Sequence, residues 1–226
     1  MREIVFDTET TGLDPLQGHR VVEIGCVELF NHMPTGKTFH AYLNPERDMP
    51  SEAAAVHGLT DEFLADKPMF AEVVDDFLQF IGDAPLVAHN AGFDFKFINA
   101  ELTRTGFKII SYDRAIDTVG IARRMFPGAP ASLDALCKRF GVDASNRQLH
   151  GALLDARLLA DVYLELRGGR QPDLAIAEKA VADEEVAVEA GNREFRAARS
   201  FPANDDELKA HEAFLASIKD PLWKRA

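Results

Sequence analysis

The sequence contains few cysteines, no long apolar run and no N-terminal segment free of acidic residues. Cys26 and Cys137 are its two cysteines, and each lies in an apolar run, which favours buried reduced thiols over a disulfide. No apolar run approaches the roughly 18 residues of a membrane-spanning helix. The N-terminus reaches acidic residues too early for a signal peptide. These absences predict a cytoplasmic protein.

Positive charge is also scarce. The chain has 25 basic and 37 acidic residues, for a formal net charge of −12. Proteins that coat duplex DNA are usually basic, because neutralising phosphates supplies much of their affinity. The chain is therefore expected to bind bulk nucleic acid poorly by itself. A nucleic-acid enzyme with this charge must hold a few phosphates through metal ions or receive its substrate from a partner.

The remaining composition is typical of a globular protein, with 46% apolar residues in a chain of 226. Short β-rich runs separated by turn signals predict an antiparallel meander, followed by helices alternating with a buried strand. The predicted strands cover residues 2–6, 20–30, 37–43 and 86–88, and the predicted helices cover 70–81, 93–105, 118–126, 133–140 and 151–167. This order predicts an α/β fold, a mixed sheet with helices on both faces.

Three segments follow from the same pattern. Residues 1–168 form the compact domain. Residues 169–204 include a stretch rich in Ala, Glu and Val with few large apolar side chains, which indicates a flexible tether. Residues 205–226 regain helical spacing and predict a helical tail.

Two carboxylates stand at the end of the first predicted strand. Asp7 and Glu9 are two residues apart, so on a strand they point to one face. Side by side, two carboxylates repel, and a divalent cation with hard oxygen ligands compensates that repulsion. An exposed acidic turn without an ion is the alternative for this pair taken alone.

Two further acidic blocks open predicted helices. Asp94 follows the strand 86–88 through His89 and Asn90, and Asp155 lies five residues after His150. Taken singly, each Asp could simply complement a helix dipole, and His150 could be a surface residue. Asp155, however, lies among leucines, where a carboxylate needs a charged partner or an exposed edge.

The three blocks together resemble the DEDDh group of 3′–5′ exonucleases. Its four acids correspond to Asp7, Glu9, Asp94 and Asp155, and its histidine to His150. The segments 56–60, 132–137 and 149–156 are similar to the proofreading members that serve bacterial replicative polymerases. The resemblance covers about residues 3–168 and, more loosely, the tail. It implies a ribonuclease H-like fold.

The resemblance and the residue types imply the same chemistry. Two divalent cations about 4 Å apart, Mg²⁺ or Mn²⁺, can serve both ends of a phosphodiester displacement. The four carboxylates would hold them, with Asp7 as the best candidate for the bridging ligand. His150 is the candidate general base, because a histidine accepts a proton near neutral pH.

Candidate substrate contacts surround these acids. The terminal nucleotide could meet Thr10 and Leu13 after the first strand, and a base could stack on Phe93. Glu52 and His57 resemble positions that line the family's nucleotide pocket, and Asn90 could contact the 3′ nucleotide. Each of these four side chains also has an ordinary structural alternative. Phe93 could be a core residue and Glu52 an acid at a helix start. His57 could be a turn residue, and Asn90 could cap a turn.

The tail carries two candidate docking segments. Gln171, Leu174 and Ile176 are spaced like a short sliding-clamp-binding peptide, although an ordinary linker fits as well. The amphipathic pattern from Asp205 to Trp223 resembles the tail that holds the polymerase alpha subunit. Packing on the chain's own nuclease domain is the alternative for that pattern.

The sequence therefore predicts a proofreading 3′–5′ exonuclease that acts on a single-stranded or frayed DNA 3′ end delivered by a polymerase. A free-standing DEDDh exonuclease for RNA or short oligonucleotides is the rival enzyme. A catalytically silent scaffold is the rival from another class, and the intact acids argue against it.

Overall fold

The structure, a computed structural model, describes residues 1–145, 147, 149–169 and 202–218. The chain divides into two units, Met1–Ile176 and Ala177–Ala226, which are described separately below. Most of the predicted tether, including the segment Gln171–Ile176, lies outside the described residues, as do Leu222 and Trp223. The proposed boundaries at 168 and 204 therefore stay predictions.

A five-stranded sheet forms the centre of the first unit. Its strands are β1 (Arg2–Thr10), β2 (Val21–Phe30), β3 (Met33–Tyr42), β4 (Leu86–Ala88) and β5 (Ala115–Asp117). They lie in the order β3-β2-β1-β4-β5. The first three strands pair antiparallel, whereas β4 pairs parallel with both β1 and β5. The predicted meander and mixed sheet are confirmed.

The strand boundaries differ from the sequence prediction in two informative places. β1 continues to Thr10, so the carboxylates of Asp7 and Glu9 lie within a strand rather than after it. The predicted break over residues 32–36 is wrong, because Asn31 and His32 alone make the turn between β2 and β3. Both have positive φ, 52° and 66°, as tight hairpin turns with the sheet's right-handed twist require.

Helices cover both faces of the sheet. In the first unit they are α1 (Ser51–His57), α2 (Asp61–Leu64), α3 (Phe70–Ile81), α4 (Ala91–Arg104), α5 (Thr118–Met125), α6 (Leu133–Phe140) and α7 (Ala152–Leu166). Side chains cap the N-termini of two of them: the Asp117 side chain accepts a hydrogen bond from Val119 N, and Ser132 Oγ accepts one from Ala135 N.

Alternate residues of β1 divide the interior into two cores. Ile4 and Phe6 pack with apolar side chains of α3 and α4. Val5 faces the other way and packs with α6 and α7. Asp7 and Glu9 continue the Val5 side of the strand, which turns both carboxylates towards α7. Cys26 and Cys137 are buried free thiols, one in each core, as the apolar runs predict.

The N-terminus of α7 lies directly against β2. A Cβ atom at Gly25 would be 2.2 Å from Leu153 N and 2.4 Å from Leu153 Cα, far inside van der Waals contact. Gly25 pairs with Asp7 in the sheet register. The missing side chain at residue 25 therefore lets α7 approach the strand that carries the first carboxylate.

The second unit contains one described helix, α8 (Asp205–Ser217). Asn204 caps it, because its side chain accepts a hydrogen bond from Glu207 N. The predicted helical pattern ran to Trp223, but α8 ends at Ser217, and Ile218 is extended with φ −96° and ψ 127°. Leu208 and Phe214 are exposed on it. In the described part of the chain, no helix is long and apolar enough to cross a membrane.

Candidate active site

The carboxylates singled out in the sequence meet in one cavity. It has a volume of about 330 Å³ and lies at the carboxyl end of β1. Its lining includes Asp7, Glu9, Asp94, Asp155, His150, Asn90 and Phe93. Three separate regions of the chain supply the four acids: β1, the first turn of α4 and the first turn of α7.

Asp94 reaches the cavity because of the turn between β4 and α4. Asn90 adopts the left-handed conformation there, with φ 71°, and its backbone N–H donates to Asp117 Oδ1 at 3.1 Å. Asp94 is 2% exposed. Thr8 Oγ1 donates a hydrogen bond of 2.7 Å to its Oδ1, which fixes the carboxylate beside β1. The alternative role of Asn90, as a turn cap, gains no support from its side chain, which makes no cap hydrogen bond.

Asp155 is held by an arginine that the sequence reasoning did not identify. Arg147 Nε and Nη2 donate to the two Asp155 oxygens at 2.5 and 2.6 Å. Its Nη1 also donates to Asp134 Oδ1. The Arg147 side chain is 8% exposed. A lone arginine in a loop has no periodicity, so its position three residues before His150 was the available signal.

His150 lies on the same loop as Arg147. Its backbone N–H donates to Val56 O at the end of α1, at 3.1 Å. Its ring is half exposed, and Nδ1 is 3.3 Å from Asp155 Oδ2. Ligand atoms of Glu9, His150 and Asp155 all lie within 4.8 Å of one another. The structure therefore places His150 at the cavity mouth, close to Glu9 and Asp155.

The electrostatics of the cavity suit a cation. Burial, with repulsion from Asp94, Glu9 and Asp155, raises the pKa of Asp7 well above its usual value. Burial, together with Asp155, Glu23 and Asp94, raises the pKa of Glu9 from 4.5 to about 8. Burial also raises the pKa of Asp94 to about 7, against the opposing hydrogen bond from Thr8.

These shifts amount to a stability cost that a metal ion would remove. Between pH 4.5 and about 8, folded Glu9 keeps a proton that the unfolded chain has lost, so stability falls as pH rises through that window. A divalent cation favours the ionised carboxylates and opposes this loss. Four oxygen-donor side chains without a thiolate suit a hard cation such as Mg²⁺ or Mn²⁺. The donor set thus fits the predicted metals.

A second cavity of about 650 Å³ adjoins the first. Five of the six predicted substrate contacts line it: Thr10, Leu13, Glu52, His57 and Phe93. The sixth, Asn90, lines the carboxylate cavity, and Phe93 lines both. Glu9 is shared in the same way. The two cavities therefore share part of their walls.

The predicted substrate contacts in the second cavity differ widely in solvent exposure. Leu13 is 83% exposed, whereas His57 is 6% exposed. His57 is the last residue of α1 rather than a turn residue, and burial lowers its pKa. Its Nδ1 accepts a hydrogen bond from Leu59 N at 3.1 Å. Its Nε2, near the Thr10 backbone, is buried without a well-formed hydrogen bond among the described residues.

The structure also bears on the alternatives for Phe93, a core residue, and for Glu52, an acid at a helix start. Phe93 is partly buried and packs against the α3–α4 core, with its ring centroid 4.9 Å from that of Phe97 and the two rings tilted by 46°, so it is both a core residue and a cavity wall. Glu52 does lie in the first turn of α1, as a helix-start acid would. It is exposed towards the second cavity, which leaves it free to contact a ligand.

Comparison with known proteins gives a consistent result. The family model described as "Exonuclease" matches residues 4–163. DNA polymerase III subunit epsilon of Rickettsia felis is 53% identical over 222 residues, which cover 96% of this chain and 97% of that protein. The protein of the same name from Escherichia coli is 46% identical, with 99% and 97% covered.

Solved structures agree on the fold. Exonuclease X in complex with 5′ overhanging duplex DNA is 28% identical, with a TM-score of 0.57 over 73% of this chain and 90% of that one. Escherichia coli exonuclease I in complex with a dT13 oligonucleotide is 16% identical, with a TM-score of 0.66 over 74% and 41%; this likeness concerns the fold alone. The expected resemblance to DEDDh exonucleases and the ribonuclease H-like fold are confirmed.

Proposed function

Because this chain belongs to the exonuclease family that includes DNA polymerase III subunit epsilon, we propose that its carboxylate cavity is a proofreading 3′–5′ exonuclease site. The protein is a 3′–5′ exonuclease, the proofreading subunit of a replicative DNA polymerase. Members of its family use divalent metal ions. The residues that carry out each step in this chain are our proposal, as is the identity of the ions.

One observation carries the assignment of the site. Burial raises the pKa of Asp7, Glu9 and Asp94, and repulsion from neighbouring acids adds to the rise at Asp7 and Glu9. An ordinary fold has no reason to keep such a costly cluster, since replacing it with apolar groups removes the cost. Perturbed carboxylates in a cleft are typical of functional sites. Together with Asp155, they would bind two divalent cations, Mg²⁺ or Mn²⁺.

The bound cations would supply charge for the attacking and leaving oxygens of an in-line displacement. Asp7, in the second half of β1 and repelled by the three other acids, would be the ligand shared by both ions. Asp94 is oriented by Thr8 and Asp155 by the packing of α7 on Gly25. The protein's own contribution is therefore a rigid set of ligands drawn from β1, α4 and α7.

His150 is the proposed general base. As water attacks phosphorus, a His150 ring nitrogen would accept its proton, and the bond from phosphorus to the 3′ oxygen of the preceding nucleotide would break. That 3′ oxygen would take a proton from solvent to become a hydroxyl, and a 5′-mononucleotide would leave. The exposed ring at the cavity mouth is accessible to solvent and substrate. The hydrogen bond from His150 N to Val56 O anchors its backbone.

The second cavity would hold the terminal nucleotide. Phe93 offers a ring face between the two cavities, and stacking accepts any base. The buried His57 Nε2 and the exposed Glu52 provide polar atoms for sugar or base. Thr10 and Leu13 close the side next to β1. None of these groups needs to read a base edge, which suits proofreading; frayed mispairs unstack more readily than paired ends.

The function predicts faster removal of a mispaired end than of a paired one. We expect the full chain with Mn²⁺ or Mg²⁺ to shorten a 5′-labelled primer one nucleotide at a time, and chelation to stop it. A 3′ mispair should be removed faster than the matched pair, and single strands faster than either. Equal rates on all three, or preferred digestion of RNA, would instead support a free-standing exonuclease.

Association with the polymerase follows from family membership, whereas its attachment through the tail is our proposal. The net charge of −12 disfavours independent DNA binding, so delivery by a partner supplies the substrate. Residues 205–226 would bind the polymerase alpha subunit, and Gln171–Ile176 would bind the sliding clamp. Support comes from the capped helix α8 with exposed Leu208 and Phe214.

Removing the chain after Gly169 tests this attachment. We expect polymerase binding, measured by size-exclusion chromatography, to be lost, and Trp223→Ala to weaken it by about 2 kcal/mol if the indole is a hot spot. Hydrolysis of free single strands should be unchanged, because the proposed site lies within residues 7–155. Stimulation by the polymerase should disappear, since tethering raises effective concentration.

The controls separate the two docking segments. Gln171→Ala with Leu174→Ala should reduce clamp binding and leave polymerase binding intact. If truncation after Gly169 instead abolished intrinsic hydrolysis or unfolded the nuclease domain, the tail would be part of the domain core.

A further inference from the structure

Arg147 places a positive charge directly on one carboxylate of the site. Its guanidinium engages both oxygens of Asp155, the carboxylate that the proposed function assigns to metal binding. Its positive charge opposes the raised pKa values of Asp7 and Glu9, although both stay raised. The cluster is therefore compensated only in part from within the chain.

The same guanidinium also engages His150. Nη2 lies 2.9 Å from His150 Nδ1, and a guanidinium donates but cannot accept. Nδ1 must accept this hydrogen bond, which puts the ring proton of neutral His150 on Nε2. The basic lone pair of His150 is thus directed at Arg147 rather than at a water molecule.

From these contacts we propose that Arg147 is a restraining residue that competes with divalent cations for Asp155 and with substrate water for His150. The inference rests on the proposed metal site. Binding of a cation to Asp155 displaces part of the Arg147 fork, and the same movement frees the His150 lone pair. Arg147 stays at the cavity rim through Asp134, whose side chain is 71% exposed.

If Arg147 competes with the metal, its removal changes metal affinity in the opposite direction from the removal of a residue that supports the metal ligands. A residue that merely orients a metal ligand strengthens metal binding, so its removal weakens that binding. A competitor weakens metal binding, so its removal strengthens it. The direction of change in metal affinity, measured without DNA and without turnover, therefore distinguishes the two roles.

The experiment measures Mn²⁺ binding to the full chain by isothermal titration calorimetry. We expect Arg147→Ala to bind Mn²⁺ more tightly, on the order of tenfold, which is the worth of a hydrogen bond to a charged group. Arg147→Lys keeps the charge but loses the two-pronged contact, so its affinity should lie between those of Arg147→Ala and the wild type. The metal-free unfolding temperature of Arg147→Ala should fall, and its rise on adding Mn²⁺ should exceed that of the wild type.

Arg157→Ala is the matched control. Arg157 is exposed on α7, two residues after Asp155, and lines a different cavity, so its loss changes the net charge equally and should leave affinity near the wild-type value. Unchanged or weaker Mn²⁺ binding in Arg147→Ala would overturn the inference; should that variant not fold, the same result in Arg147→Lys would do so. A wild type that binds no Mn²⁺ would instead contradict the proposed metal site itself.

Discussion

Asp7→Ala should abolish hydrolysis of a single-stranded 3′ end while the protein stays folded. Asp7 is repelled by the three other acids of the site, Asp94, Glu9 and Asp155. Metal-ion catalysis supplies several kcal/mol of transition-state stabilisation, so losing the bridging ligand should cost roughly 10³-fold or more in rate. The measurement is the initial rate on a labelled oligonucleotide with saturating Mn²⁺.

The stability of the same variant provides an independent readout. Removing one buried, repelled carboxylate should raise the metal-free unfolding temperature, because the remaining acids are relieved of its charge. Asp76→Ala is the control, since Asp76 is an exposed acid on α3 and its loss changes the net charge equally. Full activity of Asp7→Ala, with Asp76→Ala also unaffected, would exclude the two-metal assignment.

His150→Ala should reduce the rate by a factor of roughly 10² to 10⁴, the usual contribution of general acid–base catalysis. The geometry makes this test necessary, because His150 lies close enough to Glu9 and Asp155 to be a metal ligand as well. As a base, it should be dispensable for metal binding. Calorimetric titration with Mn²⁺ should therefore give an affinity near that of the wild type.

A neighbour on the same loop controls for disruption of the backbone. Leu149 is half exposed and lies against Gly58, so Leu149→Ala perturbs the loop without removing the imidazole. We expect it to keep most of the activity. Loss of Mn²⁺ binding in His150→Ala would assign the histidine to the metal shell and remove the proposed base.

The acids of the site were predictable because their positions follow from local geometry. Asp7 and Glu9 share a face because side chains on a strand alternate with a period of two residues. This does not depend on the exact residue at which β1 ends. Asp94 and Asp155 begin helices whose apolar spacing and turn residues identify their first turns. Apolar spacing predicted α3 to the residue and a short apolar run predicted β4 to the residue, and the order of strands and helices predicted the mixed sheet.

Other features depended on contacts between distant segments. Arg147 acquires its meaning from meeting Asp155 and His150, which no pattern around residue 147 encodes. β5 has three residues and α1 seven, too few for a periodic signal. The end of α8 at Ser217 was also missed, because apolar spacing continues to Trp223 although the backbone becomes extended at Ile218.

The contact between α7 and Gly25 widens the set of positions at which replication fidelity can be lost. Gly25 touches neither cation nor DNA in the proposed mechanism, yet any side chain there would collide with the backbone of Leu153 and displace the helix that carries Asp155. The mutational target for an error-prone lineage therefore includes a residue on the sheet beneath the site. A cell could become a mutator through a change in packing, with every reacting group still encoded.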